Sequence, residues 1–360
     1  MHLNMDNEIQ SFFKVCISSM AALCYCYFLV SRLHNPLTKL FFLLPIFYLF
    51  TILPLTLHSF HLNGPMTFNL TWLGNFKLLL FAFNQPPLFH LSPPNPNKSL
   101  LHFISVGLLP IKIEDPFQRS KNPSKVESIF KKWADLSIKF LLFSAVIEAY
   151  KYRPYLHPHV SLCIYCLHLY FGIQLTLALT AVPVMMILGN DLQPQFNQPY
   201  KSTSLQDFWG RRWNLVVTGI LRPTVYIPVR RYTSRFIGRK WATATAVFAT
   251  FLVSGLMHEV MNYNFSRAPP TWEMTWFFVL HGICTEVEVE VKKVVAGRWR
   301  LPELVSGMMT CLFLAVTGNW LFFPQMLRNG VDNKALEEYP VMVNFVKDKI
   351  QFLLSFICFW

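Results

Sequence analysis

Charge-free apolar runs long enough to cross roughly 30 Å of hydrocarbon recur along the chain: Val15–Ser31, Leu40–Leu57, Val160–Leu188, Trp241–His258 and Leu304–Leu327. Each predicts a membrane-spanning helix, because a segment surrounded by lipid must satisfy its own backbone hydrogen bonds. Four less continuous segments follow the same pattern: Leu70–Phe89 around Lys77, Leu136–Tyr150, Trp272–Val291 with its glutamates, and Val341–Trp360 around Lys347, Asp348 and Lys349. Together they predict an all-α polytopic membrane protein with about nine transmembrane helices. Leu100–Ile111 is apolar but too short to span, which suggests a re-entrant or interfacial element, and Pro-rich Gln85–Pro96 beside it has no assigned element. No internal repeat or soluble-length linker divides the sequence, so residues 1–360 are taken as a single membrane domain. Asp6 and Glu8 stand where a secretory signal would carry basic residues, and no small-residue cleavage site closes the first run, so Val15–Ser31 is expected to be a span.

Composition supports this. Hydrophobic residues make up 53% of the chain and charged ones only 14%, outside ordinary soluble usage, while 34 Phe, 13 Tyr and 10 Trp exclude disorder. Most of the eight cysteines lie in apolar stretches, among them Cys163 and Cys166, and are expected to act as small hydrophobes rather than as a disulfide framework or metal site.

Charge placement then orients the chain. Arg32 and Lys39 follow the first span, a Lys-rich stretch from Lys112 to Lys139 precedes the fourth, and Lys292, Lys293, Arg298 and Arg300 follow the seventh. By the positive-inside rule all three lie in the cytosol. So does Lys201–Lys240, read as a loop, whose nine basic residues against one acid carry +8 of the net +13. The expected topology puts the N-terminus in the lumen and the C-terminus in the cytosol, with the sequons at Asn69 and Asn264 on the lumenal side.

Three histidines lie inside apolar runs: His168, His258 and His281. An ionisable group in the bilayer is expensive, so each is either a functional site or a neutral ring hydrogen-bonded between helices. Context favours His258, where Ser254 and Gly255 allow close helix approach and Glu259 is adjacent. A second constellation, LQDFWGRRWN at Leu205–Asn214, is dense in Trp and Arg. It reads either as an interfacial belt or as a basic mouth for a polyanion such as acyl-CoA, whose phosphates and apolar tail match a cytosolic entrance leading to a buried histidine. Anionic lipid headgroups are a rival partner for these arginines, whereas nucleic acid is excluded because the basic segment is tethered to the bilayer. Hydrolase elbow, zinc-helix, P-loop and dinucleotide motifs are missing from the sequence. The alternating Glu286, Glu288 and Glu290 read either as a polar cavity lining or as a fraying span end, and the His157-Pro-His159 pair suggests a metal only weakly.

Asn190–Asn214, Phe251–Tyr263 and Pro270–Lys293 together resemble the plant wax synthase branch of the membrane-bound O-acyltransferase superfamily, with a signature region over residues 190–293. The resemblance implies a helical membrane fold with an intramembrane tunnel, an acyl-CoA donor from the cytosol and a lipid alcohol acceptor from the bilayer. It implies His258 as the catalytic histidine and Asn214 as its companion, with Phe208, Trp209, Arg211, Arg212 and Trp213 shaping the donor site. His281, Gly282 and Glu288 also fit the family pattern, without a catalytic role. No metal and no cofactor beyond the co-substrate are implied, and the location is the endoplasmic reticulum. A long-chain fatty alcohol is the default acceptor; a sterol, or diacylglycerol with a short-chain donor such as acetyl-CoA, would use the same chemistry. A non-catalytic lipid-binding or transport protein is the alternative of a different class.

Overall fold

A computed structural model describes residues 4–91, 100–111, 125–188, 194–295 and 301–357. Part of the Lys112–Lys139 stretch, the start of the Asn190–Asn214 segment, Arg298 and Arg300 lie outside the described residues, as does the end of Gln85–Pro96. The described chain is helical: α1 (Met5–Phe28), α2 (Pro36–Ile52), α3 (Phe60–Met66), a π-helical turn (Thr67–Gly74), α4 (Asn75–Ala82), α5 (Leu100–Leu108), α6 (Lys125–Ala149) and α7 (Pro158–Leu188). There follow α8 (Leu205–Asp207), α9 (Leu215–Leu221), α10 (Ile227–Ser266), α11 (Glu273–Val295), α12 (Glu303–Thr317), α13 (Phe323–Arg328) and α14 (Val331–Ile357). Among the described residues five stretches are long and apolar enough to cross a membrane: Met5–Arg32, Pro36–Thr56, Val160–Thr180, Leu215–Ser266 and Glu303–Arg328. They coincide with the five uninterrupted runs of the sequence. The four interrupted segments are helical too, in whole or in part, but do not meet that measure.

Two compact units make up the chain. The first joins Met1–Leu108, Ser254–Trp276 and Phe322–Trp360. Its core is filled by Leu23, Leu43, Phe50, Trp72 and Phe81. Two carboxylates clasp the start of α3. Glu8 accepts the backbone N–H groups of His58 (3.1 Å) and Ser59 (3.2 Å), and Glu338 accepts those of Phe60 (2.6 Å) and His61 (3.1 Å), the Ser59 hydroxyl (2.8 Å) and His61 Nδ1 (2.9 Å). Unpaired N–H groups at a helix N-terminus favour anions, so both charges are compensated where they are buried.

Several sequence expectations change here. Lys39 is not a loop charge but a buried residue of α2, its Nζ donating to Asn84 Oδ1 at 2.6 Å, beside the Phe81 ring. Lys77 is likewise buried and donates to the Val106 carbonyl at 2.6 Å, which lets an apolar helix carry it. Leu100–Ile111 supplies the short α5, with Phe103 and Val106 buried. Asn69 and Asn264 are buried within helices, so neither offers a side chain to glycosylation in the folded protein.

The second unit joins Leu109–Val253 with Phe277–Leu321. Lys201–Lys240 is not a loop: it forms α8, a π-helical turn at Phe208–Arg212, α9, another π-helical turn at Arg222–Tyr226 and the start of α10. Most of its charges sit on exposed faces, where helix and solvation are compatible, while Asp207 and Arg212 are half-buried and paired with each other. The 40-residue α10 is kinked at Gly238, whose φ of 74° and ψ of 165° belong to a region open essentially to glycine. Large apolar side chains such as Leu141 on α6, Leu179 on α7 and Leu304 and Leu312 on α12 stand exposed, as lipid-facing residues do.

Candidate functional site

In the first unit His258 lies on α10 one helical turn after Ser254. Its Nδ1 is 2.8 Å from the Ser254 carbonyl oxygen. A carbonyl only accepts, so Nδ1 carries the proton, and in the neutral ring Nε2 holds the basic lone pair. Trp72, from the π-helical turn Thr67–Gly74, meets the imidazole edge-on at 5.0 Å, and Phe322 does so at 5.6 Å. The Trp72 ring is buried and its indole N–H has no hydrogen-bond partner among the described residues. π-Helical turns gather at functional sites, and this one brings an apolar wall to the histidine.

Glu259, the next residue, is buried and points elsewhere. Its Oε1 accepts the Thr275 N–H at 3.2 Å, in the first turn of α11. Gln325, fully buried, oriented to satisfy both ends of its amide, donates to Glu259 Oε2 (3.1 Å) and Thr271 Oγ1 (3.0 Å) and accepts from Asn262 (2.8 Å). This network joins α10, α11 and α13 around the turn that follows His258, and it occupies the carboxylate.

The tryptophan-rich motif lies in the second unit. Ser204 caps α8 by accepting the Asp207 N–H, and Phe208–Arg212 then widens into a π-helical turn. Neighbouring chain closes around it: the Asn197 N–H donates to the Arg212 carbonyl at 2.9 Å and the Leu215 N–H to the Gln195 carbonyl at 2.8 Å. Phe208 is buried and stacks on Trp213 at 5.2 Å, while Trp213 stacks in turn on Tyr170. Arg212 is engaged by Asp207 Oδ2 at 2.5 Å and by the carbonyls of Asn197 and Gln198, whereas Arg211 is exposed. Asn214 adopts a left-handed conformation, φ 42° and ψ 65°, and caps α9 with its side-chain oxygen, which accepts the Val217 N–H at 3.3 Å. Asn tolerates this region far better than most residues. The cap engages Oδ1 as an acceptor, and the side-chain NH₂ supplies the donors that Asn214 can offer.

His281 sits on α11 and is fully buried. The Trp209 indole N–H donates to its Nδ1 at 3.1 Å, and Nε2 is 2.8 Å from Thr317 Oγ1, whose own hydroxyl donates to the Phe313 carbonyl at 2.7 Å. Indole only donates, so Nδ1 is the acceptor and Nε2 the donor. Both ring nitrogens are therefore used in one neutral tautomer, and His281 positions Trp209 instead of moving protons. Glu288, two turns further along α11, accepts the Leu205 N–H at 2.7 Å and holds the start of the motif. Gly282 makes the close packing possible, since a Cβ there would lie 3.0 Å from Phe251 Cβ. His281 and Glu288, which fit the family pattern, thus each hold one residue of the motif, Trp209 and Leu205. His168 pairs through Nδ1 with the Tyr150 hydroxyl at 3.0 Å.

A model described as Membrane bound O-acyl transferase family matches residues 192–280, which contain both the motif and His258. Over 356 residues the chain is 49% identical to a long-chain-alcohol O-fatty-acyltransferase of Simmondsia chinensis, covering 98% of this chain and 100% of that protein. It is 41% identical over 345 residues to the probable long-chain-alcohol O-fatty-acyltransferase 1 of Arabidopsis thaliana, covering 95% and 98%. It is also 41% identical over 350 residues to the acyl-CoA–sterol O-acyltransferase 1 of Arabidopsis thaliana, covering 96% and 99%.

Proposed function

The chain belongs to the membrane bound O-acyl transferase family, and from that premise we propose that it esterifies a long-chain fatty alcohol with the acyl group of acyl-CoA, making wax esters at the endoplasmic reticulum. The observation that carries this is the 49% identity, over 98% of this chain and the whole of the other, to a protein named as a long-chain-alcohol O-fatty-acyltransferase. The sterol-named relative is 41% identical and keeps a sterol acceptor as the second reading.

In the proposed mechanism His258 is the general base. With Nδ1 held by Ser254, its Nε2 takes the proton of the acceptor hydroxyl as that oxygen attacks the thioester carbonyl. The C–S bond then breaks, CoA thiolate leaves, and the imidazolium returns the proton to sulfur. A base of this kind contributes about 10²–10⁴-fold. Asn214 donates an amide N–H to the oxyanion, a contribution typically of about 10²–10³-fold. Phe208, Trp209, Arg211, Arg212 and Trp213 form the donor region, in which Arg212 and Phe208 hold the turn and Arg211 meets the donor. The apolar surroundings of His258 exclude water and favour alcoholysis over hydrolysis.

The test is expression in yeast lacking its own neutral-lipid acyltransferases, with fatty alcohol, sterol or diacylglycerol precursors supplied in separate cultures. New wax esters in the wild type, absent with His258→Ala at equal protein level, are the expected result. Ester formation that survives His258→Ala would refute the assignment of the base, and sterol esters alone would move the acceptor.

A further inference from the structure

The start of α10 carries a second basic feature apart from the tryptophan-rich motif. Ile227, Arg230, Arg231 and Ser234 recur at helical spacing and share one face, and with Arg239, beyond the Gly238 kink, they line a cavity of about 210 Å³. Arg230, Arg231 and Arg239 are exposed, and the neighbouring ion pairs use Arg212 with Asp207 and Lys240 with Glu290. Among the described residues none of the three guanidinium groups is paired with a carboxylate. Three like charges brought together around a cavity without an acid repel one another unless an anion joins them.

The opposite face of the same helix tells which side the anion comes from. Tyr232 and Phe236, about half a turn round from the Arg face, are 64% and 71% exposed. On a basic amphipathic helix at a membrane, such an aromatic face enters the boundary between headgroups and acyl chains. The arginine cavity then looks towards the aqueous phase, from which a soluble phosphate arrives. A phosphate monoester carries a charge of about −1.5 to −2 at pH 7, against −1 for a diester, and so best balances three arginines.

We propose that Arg230, Arg231 and Arg239, with Ser234, form a binding site for the terminal 3′-phosphate of the acyl-CoA donor, at the end of the molecule farthest from the reacting thioester. This rests on the acyl-CoA reading above. It separates the tasks of the basic region: the cavity at the kink holds the nucleotide end, and the tryptophan-rich motif serves the remainder of the donor. Gly238 keeps Arg239 beside the other two, because its backbone conformation is closed to other residues.

The test uses the purified full chain in lipid nanodiscs and compares an acyl-CoA with the same acyl-3′-dephospho-CoA. The wild type is expected to show a roughly tenfold lower KM for the phosphorylated donor, the lower end of what charge-assisted hydrogen bonds provide. The double variant Arg230→Gln, Arg239→Gln is expected to lose that preference, while Lys151→Gln, which removes an exposed charge elsewhere, keeps it. A wild type that treats both donors alike, or a double variant that retains the preference, overturns the proposal. Nanodiscs of phosphatidylcholine alone and with phosphatidylserine test the other phosphate source: a variant effect confined to phosphatidylserine and equal for both donors assigns the site to headgroups and overturns it too. If no ester forms from any acyl-CoA, the acyltransferase reading fails, and equilibrium binding of CoA against 3′-dephospho-CoA still reads the site directly.

Discussion

Replacing Asn214 by glycine separates its observed cap from the oxyanion donor proposed above. The residue caps α9 through Oδ1 and turns the chain at φ 42° and ψ 65°. Alanine would lose the cap, at about 1 kcal/mol, and would strain the left-handed backbone by a further 1–2 kcal/mol or so. A loss of roughly 2 kcal/mol or more next to the donor motif would lower activity for structural reasons alone. Glycine adopts the same backbone freely and costs only a few tenths of a kcal/mol at an N-cap, yet it has no amide to donate. Asn214→Gly is therefore expected to keep the wild-type thermal midpoint in detergent to within a degree or two, while ester formation at saturating donor falls about 10²–10³-fold, the usual loss of an oxyanion donor. Asn214→Asp keeps the acceptor for the cap and the tolerance of the turn, and is expected to be as stable as wild type but inactive. Activity within about threefold of wild type in a well-folded Asn214→Gly would refute the reasoning, leaving Asn214 as a cap and nothing more.

Two further perturbations test the surroundings. Thr317→Val removes the oxygen that accepts from His281 Nε2 and leaves a buried N–H unpaired; it is expected to cost about 1–3 kcal/mol, seen as a lower unfolding midpoint that Thr317→Ser restores, and an unchanged midpoint in Thr317→Val would sink the proposed tautomer. Burial works against ionisation of Glu338, but His61, the N–H groups of Phe60 and His61 and the Ser59 hydroxyl outweigh it and hold the carboxyl below its usual range. A depressed carboxyl stabilises the fold above its unfolded pKa of about 4.3 and loses that contribution as pH falls through the folded value. The midpoint of the wild type should therefore drop more steeply below about pH 4.3 than that of Glu338→Gln, and parallel curves would contradict the assignment.

The five long spans were legible in the sequence because hydrocarbon thickness sets their length and lipid tolerates few charges, two constraints that act locally. The family was legible for a similar reason: the tryptophan-rich motif and the histidine after Ser254 and Gly255 are short, contiguous patterns. Charge was a poorer guide to local structure. Lys201–Lys240 read as a loop because a dense basic run is polar, yet helix tolerates charge on an exposed face, and Gly238 kinks the chain where a loop was expected to end. Lys39 and Lys77 counted as surface or interruption until their ammonium groups met Asn84 and the Val106 carbonyl. The sequons at Asn69 and Asn264 carried no information about burial, which depends on the neighbouring helices. Sequence context singled out His258 among the three intramembrane histidines, but it did not show how any of the rings is held. Tertiary structure shows how they are held: His281 is locked by Trp209, 72 positions away, and by Thr317, while His258 Nδ1 meets the Ser254 carbonyl of its own helix. Hydrophobic periodicity determines what enters the membrane; which buried nitrogen keeps its lone pair is settled only when distant side chains meet, because a hydrogen bond depends on separation in space and not along the chain.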